Sequence, residues 1–134
     1  MFDRYLIGED SLRNVVEDGK ITGFQFDVRI GYYRGLGLSM VEGFDVSVDG
    51  KAYPRTDVLF KLHGKTFTHK QMETEYNERW EMIEPATLML PKAGGLAAGE
   101  HEVSMVEYLR ISYLPAPSIS TGKGAKRLKL QPVS

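Results

Sequence analysis

Apolar and polar side chains alternate with a period of two along most of the chain. The pattern is clearest over residues 24–30, 44–48 and 58–62, where every second residue is large and apolar. Successive side chains of a strand point to opposite faces, so this period predicts strands with one buried face. The same reasoning predicts further strands over residues 12–16, 79–83, 86–90, 100–114 and 127–130.

Three glycine dipeptides lie between these segments. They are Asp18-Gly19, Asp49-Gly50 and His63-Gly64. A glycine after a short polar residue favours a two-residue turn in which both residues have positive φ, the usual connection of a β-hairpin. Each dipeptide therefore predicts a hairpin.

One segment indicates a short helix. Thr68 and Gln71 have the spacing of a capping box, in which each side chain satisfies a backbone N–H of the other residue. Met72 and Tyr76 are four residues apart and would share a helix face. We therefore predict a helix over residues 69–76.

The segment 100–114 has an irregular pattern. Glu107 lies on the apolar parity and interrupts it, whereas Val106 and Tyr108 place apolar side chains on the other parity. Two interpretations fit: a β-bulge near residues 106–107, or a strand whose covered face changes partway along. A strand of this length is also expected to bend.

Eight or nine short strands with turns every 8–12 residues predict the fold class. We expect an all-β protein, an antiparallel β-sandwich of jelly-roll-like form with one short helix. Residues 1–131 are expected to form a single domain. Residues 118–125, rich in Ser, Thr, Gly and Lys, are predicted to be a mobile loop.

Composition and net charge reduce the number of function classes that fit the chain. Lys and Arg number 17 against 18 Asp and Glu, so the net charge is -1, and we expect no nucleic-acid partner and no polybasic membrane contact. The absence of cysteine excludes disulfides, cysteine-ligated metals and a thiol nucleophile. The charged N-terminus and the lack of a long apolar run predict neither a secretory signal nor a membrane span, and hence a cytoplasmic location.

The histidines are the first candidates for chemistry. His63, His69 or His101 could form a two-histidine metal site with a carboxylate such as Glu73 or Glu102. The interpretation we favour places them as ordinary residues of a turn, a helix and a strand.

Two charged runs lie elsewhere. Residues 73–84 contain five glutamates, but a glycosidase needs two carboxyls that face each other across a cleft, and a solvated or partner-facing surface is the simpler interpretation. The basic residues at 123–129 have the composition of a flexible tail or of a surface that pairs with an acidic partner.

The most unusual segment is Ile-Gly-Tyr-Tyr-Arg-Gly-Leu-Gly-Leu at residues 30–38. Tyr and Arg are enriched at binding hot spots because each combines large contact area with a directional donor. The glycines allow sharp turns or close backbone approach. The segment is either an exposed binding loop or a connection whose tyrosines cover the core.

Several motifs, in their order along the chain, carry a family resemblance. The chain resembles the small (beta) subunits of bacterial C-glycoside deglycosidases from residue 1 to about residue 131. The similarity lies in the combination of segments rather than in one catalytic signature. The matching segments are residues 1–7, 9–13, 23–30, 32–36, 38–42, 80–81, 85–88, 94–96, 99–103 and 109–113.

The resemblance implies a division of labour between two chains. An alpha subunit, a metal-dependent TIM barrel, would hold Mn²⁺ or Mg²⁺ and the catalytic base, a histidine. The complex would cleave the carbon–carbon bond between an aromatic aglycone and a 3-keto sugar by elimination. The beta subunit would carry neither catalytic nor metal-binding residues, and would stabilise the alpha subunit and cover or shape its active site.

The resemblance also implies where this chain meets substrate. Tyr32, Tyr33, Arg34, Gly35 and Leu36 match a family loop between strands. We expect this loop to approach the alpha-subunit active site, with Tyr33 or Arg34 in contact with substrate.

Two other hypotheses remain open at this stage. The chain could be an independent β-sandwich module that binds a carbohydrate or a peptide. It could also be a self-contained metal enzyme that uses its three histidines.

Overall fold

The computed structural model describes residues 6–32, 35–110 and 119–133. Within these ranges no helix is long and apolar enough to cross a membrane. The strands and the one α-helix are, in chain order, β1 (Arg13–Glu17), β2 (Lys20–Val28), β3 (Leu36–Gly37), β4 (Val41–Val48), β5 (Lys51–Tyr53), β6 (Leu59–Leu62), β7 (Lys65–Phe67), α1 (His69–Met72), β8 (Arg79–Trp80), β9 (Ala86–Pro91), β10 (Glu100–Arg110) and β11 (Ile119–Lys129).

The strands form two main sheets and a small third one. The first sheet has the order β1-β2-β9-β6-β7 and the second the order β11-β10-β4-β5. Strands β3 and β8 form a two-stranded sheet. The strand pairs within all three sheets are antiparallel, so the predicted fold class, an antiparallel β-sandwich with one short helix, is confirmed.

Aromatic side chains join the sheets in the core. Phe44 of the second sheet stacks on Phe60 of the first, with ring centroids 5.7 Å apart. Trp80 of β8 packs edge-on against Phe60 at 5.2 Å and lies 6.1 Å from Phe44. All three rings are buried, so Trp80, together with the buried Leu36 of β3, packs the small sheet onto the sandwich.

The three predicted hairpins are confirmed. Asp18-Gly19 joins β1 to β2, Asp49-Gly50 joins β4 to β5, and His63-Gly64 joins β6 to β7. Both residues of each dipeptide have positive φ, between 51° and 83°. This is the conformation in which the twist of a two-residue turn matches the twist of the strands.

The predicted mobile loop at 118–125 is wrong for residues 119–125. These residues belong to β11, which pairs with β10 along its whole length. Gly122 lies opposite Glu107, and a Cβ at Gly122 would stand only 2.9 Å from the Glu107 Oε1 atom. The glycine is therefore a close-packing residue of a strand, although its local composition is that of a linker.

Strand β10 keeps one parity inward over its described length. Val103, Met105, Glu107 and Leu109 are all buried, so the covered face does not change within residues 100–110. The bulge predicted near residues 106–107 is not found in β10: its register with β4 is regular there, and where it shifts, between Tyr108 and Leu109, the extra residue is Glu42 of β4. Residues 111–114 are outside the described residues.

Two elements are shorter than predicted. The capping box of Thr68 and Gln71 is confirmed, but α1 ends at Met72 instead of residue 76. Beyond Met72 the chain continues in tighter turns to Glu75, whose carboxylate accepts the backbone N–H groups of residues 77 and 78 and whose carbonyl accepts that of Ser39. The strand predicted over 79–83 stops at Trp80, and the chain turns at residues 82–83.

Candidate functional site

The connection from β2 to β3 carries the residues that the sequence indicated. Tyr32 is half-buried and packs against the core, Gly35 is buried, and Leu36 is buried as the first residue of β3. Tyr33 and Arg34 lie outside the described residues. Of the two interpretations of this segment, Tyr32 fits the core-covering one, while the binding role of the next two residues stays a prediction.

A buried carboxylate holds the first end of this connection. Glu107 is 0% exposed, and its Oε1 atom accepts the backbone N–H of Gly31. A Cβ at Gly31 would stand 2.7 Å from that oxygen, so the glycine leaves the space that the carboxylate occupies. Burying a carboxylate is costly, and this directional contact across 76 residues of sequence offsets part of that cost.

An arginine and a short strand pair hold the second end. The Arg79 guanidinium donates to the Gly35 carbonyl at 3.0 Å, and Leu36 pairs with Trp80 across β3 and β8. A Cβ at Gly35 would lie 2.8 Å from the Trp80 carbonyl oxygen, which only glycine permits. Gly31 and Gly35 are therefore each held by a side chain from another element, and we call the segment 31–35, after these two held ends, the anchored loop.

Strand β8, which supports the anchored loop, is itself braced. The indole N–H of Trp80 donates to the Glu84 carbonyl at 2.8 Å. His63 lies between two carboxylates, with Nδ1 2.8 Å from Glu78 and Nε2 2.6 Å from Glu84. The hydrogen bond to Glu78, followed by that to Glu84, raises the pKa of His63. In return, the hydrogen bond from His63, followed by that from Lys65, lowers the pKa of Glu78.

The segments before and after β8 carry exposed apolar side chains, and the turn after β8 has an unusual backbone. Tyr76, Met82 and Ile83 are 74%, 47% and 68% exposed. Ile83 has a φ of 67°, a left-handed conformation that a β-branched residue adopts at a cost of about 1–3 kcal/mol. The other non-glycine residues described with positive φ are aspartates and a histidine, which tolerate it better.

The three histidines lie in separate surroundings. His63 is at the β6–β7 turn, His69 lies over Gly43 of β4, and His101 is buried beside the β4–β5 turn. The carboxylates at His63 contact opposite ring nitrogens, so they do not converge on one point. Among the described residues there is no group of three or more His, Asp or Glu side chains arranged to hold a metal ion.

His101 forms a buried ionic contact at the opposite end of the sandwich. Its Nδ1 lies 2.6 Å from Asp49 and its Nε2 2.7 Å from the Ala97 carbonyl, so both nitrogens face acceptors. Burial by itself would lower the pKa of His101, but the bonds to Asp49 and Ala97 outweigh it and raise the pKa. The bond to His101, followed by the Glu102 backbone N–H, lowers the pKa of Asp49.

This pair predicts a pH dependence of stability. A raised His101 pKa gives stabilisation that is complete below the ordinary histidine value of about 6.5 and is lost as pH rises through the raised value. A lowered Asp49 pKa gives stabilisation above about 3.9 that is lost as pH falls through the lowered value. We expect Asp49→Asn to lower the free energy of unfolding more at about pH 5.5 than at about pH 9, in urea titrations.

Asn tolerates positive φ and keeps an oxygen for the Glu102 N–H, so the variant removes mainly the charge. The pKa of His63 is also raised, so His63 adds its own pH dependence to the stability. The contribution of the His101–Asp49 pair is therefore the difference between wild type and variant. An equal loss at both pH values would contradict the assignment.

A further polar cluster, which the sequence did not indicate, lies on the outer face of the second sheet. Tyr108 donates to Asp45 at 2.8 Å, and Arg55 bonds the same carboxylate at 3.1 Å. The Arg55 guanidinium also lies 4.5 Å from the centre of the Tyr108 ring. The bond to Asp45, with burial, raises the pKa of Tyr108. Val106 and Tyr108 are half-exposed on this face.

Comparison with known proteins bears on the whole chain. The sequence matches the profile of the family described as "C-glycoside deglycosidase beta subunit" over residues 2–113. It is 32% identical over 121 residues to the C-glycoside deglycosidase beta subunit of Eubacterium cellulosolvens, covering 90% of this chain and 82% of that one. It is also 32% identical over 115 residues to the 3'-dehydrocarminate deglycosidase beta subunit of a Microbacterium species, covering 86% and 83%. The chain belongs to the C-glycoside deglycosidase beta subunit family.

Proposed function

We propose that this chain is the beta subunit of a heteromeric, cytoplasmic C-glycoside deglycosidase. The complex cleaves the carbon–carbon bond between an aromatic aglycone and a sugar oxidised at position 3. Family membership supports the subunit role, and one relative is named for a 3'-dehydro substrate. The second chain in this proposal is a TIM-barrel alpha subunit.

The proposed reaction is an elimination. The 3-keto group acidifies the proton at C2, and a base on the alpha subunit removes it. The electron pair forms the C1–C2 double bond while the bond from C1 to the aglycone breaks, and a proton is added to the released aromatic carbon. Mn²⁺ or Mg²⁺ held by the alpha subunit supplies Lewis-acid polarisation of the sugar oxygens.

The proposed role of this chain is to position the substrate and to enclose the active site of the alpha subunit. The anchored loop is the observation that carries this role, because Glu107 at Gly31 and Arg79 at Gly35 fix both of its ends. A loop held this way reaches a neighbouring active site with little loss of conformational freedom, and it excludes water when it arrives. Tyr33 or Arg34, at its centre, contacts substrate in this proposal.

Replacing Arg34 by alanine tests this assignment. With the complex fully assembled, we expect kcat/KM for a 3-keto C-glycoside to fall at least tenfold, about 1.4 kcal/mol of transition-state stabilisation. Arg127→Ala is the matched control, because Arg127 is an exposed arginine of β11 opposite Glu102, away from the anchored loop. If Arg34→Ala assembles normally and turns over substrate at the wild-type rate, the loop does not contact substrate.

A further inference from the structure

Three exposed apolar residues flank β8 in the sequence, and we call them the β8 rim: Tyr76, Met82 and Ile83. They lie within eight residues of sequence, on both sides of β8. Beside Met82, the neighbouring Glu81 packs against Gly35 of the loop. Met82 therefore directly follows a residue that touches the candidate site. Single exposed apolar residues are ordinary, but a group of this size beside a candidate site marks an interaction surface.

The backbone around the β8 rim is held by contacts with the rest of the fold. Trp80 anchors its base in the core, and Glu84 is fixed by Trp80 and His63. The left-handed backbone at Ile83 turns this large side chain outward, where 68% of it is exposed. An exposed apolar side chain is not stabilised by its contact with water. Because this one is already held in place, it loses little conformational freedom when it binds a protein surface.

The charge around the β8 rim indicates the chemistry of its partner. Residues 73–84 contain five glutamates and one arginine. Glu78 and Glu84 pair with His63, Glu78 also with Lys65, and Glu81 with Arg79, so the rim keeps a smaller net negative charge. Glu73 is exposed before Tyr76, and Glu81 is exposed before Met82. The complementary surface is an apolar recess bordered by lysine or arginine. Because the chain belongs to a family of beta subunits, the obligatory neighbour is the other subunit of the enzyme.

We propose that the β8 rim docks into such a recess on the alpha subunit, with Met82 and Ile83 as its central contacts. This inference rests on the proposed function. It explains how the anchored loop arrives at the partner's active site, since rim and loop share β8 as their support. The opposite end of the sandwich, with Val16 and Ile21 exposed beside the β1–β2 turn, takes no part.

The test separates docking from folding. Asn adopts left-handed backbone more readily than Ile, so Ile83→Asn is expected to leave the unfolding temperature of the free chain unchanged or higher. The double variant Met82→Ser/Ile83→Asn is expected to raise the Kd for the alpha subunit at least tenfold, measured by titration calorimetry. Binding of the wild type is expected to weaken between about 50 mM and about 300 mM NaCl.

Val16→Ser/Ile21→Ser, which removes similar apolar area from the opposite end, is the control and should bind like the wild type. If wild type binds and the rim variant binds equally well, the docking site is wrong while the proposed function stands. If the wild type binds no alpha subunit, the proposed function fails as well. A rim variant that loses self-association but not alpha-subunit binding, or an Ile83→Asn chain with a lower unfolding temperature, also overturns the inference.

Discussion

Replacing Trp80 by alanine is expected to lower the free energy of unfolding by about 3–5 kcal/mol, the usual cost of removing a large buried aromatic ring. The side chain is 0% exposed and contacts Phe44 and Phe60 across the core. Its loss also removes the donor to the Glu84 carbonyl. For a domain with about 5–15 kcal/mol of total stability, this is a large fraction.

Trp80 is the one tryptophan of the chain, so unfolding should be followed by far-UV circular dichroism rather than by fluorescence. Trp80→Phe keeps most of the packing and should lose clearly less stability. Tyr76→Ala, at a neighbouring but exposed position, should change the free energy by no more than about 0.5 kcal/mol. A loss below about 1 kcal/mol for Trp80→Ala would show that the small sheet is not fastened through this ring.

Replacing Glu107 by methionine is expected to separate stability from activity. A buried carboxylate is expensive, and an apolar residue of similar length removes that desolvation cost. The variant also leaves the Gly31 N–H without its acceptor, which costs about 1–3 kcal/mol. These two effects on the free energy of unfolding have opposite signs. Only the second acts on the position of the anchored loop, so kcat/KM of the assembled complex should fall at least tenfold.

Glu107→Gln is the matched variant, because its amide oxygen can still accept the Gly31 N–H. We expect it to retain most of the activity that Glu107→Met loses. The assay is kcat/KM of the complex on a 3-keto C-glycoside, beside urea unfolding of the free chain. Equal activity of the two variants would show that Glu107 does not position the loop.

Local patterns were sufficient to predict the strands and hairpins. Alternation at residues 24–30 depends only on neighbouring side chains, and Asp49-Gly50 needs only its own φ angles. The same local signal correctly marked Glu107 as an interruption of an apolar face. Its cause, a hydrogen bond to Gly31, is non-local and could not be read from the pattern.

The errors have the same origin. Gly122 and its surroundings have the composition of a linker, and only the side chain opposite it on β10 shows why no larger residue fits. The helix predicted to residue 76 ends at Met72, and beyond it the Glu75 carbonyl accepts the N–H of Ser39, a partner distant in sequence that the local pattern does not indicate. For the candidate site, the anchored loop was visible as an unusual sequence, whereas Arg79 as its second anchor was not.

Co-expression with a candidate alpha subunit tests the central claim most directly. The two chains should be purified together, and the complex and each separate chain assayed with Mn²⁺ on a 3-keto C-glycoside. The account predicts a stable complex and aglycone release by the complex alone. A stable monomeric chain that ignores the alpha subunit, or full activity of the alpha subunit without this chain, would contradict it.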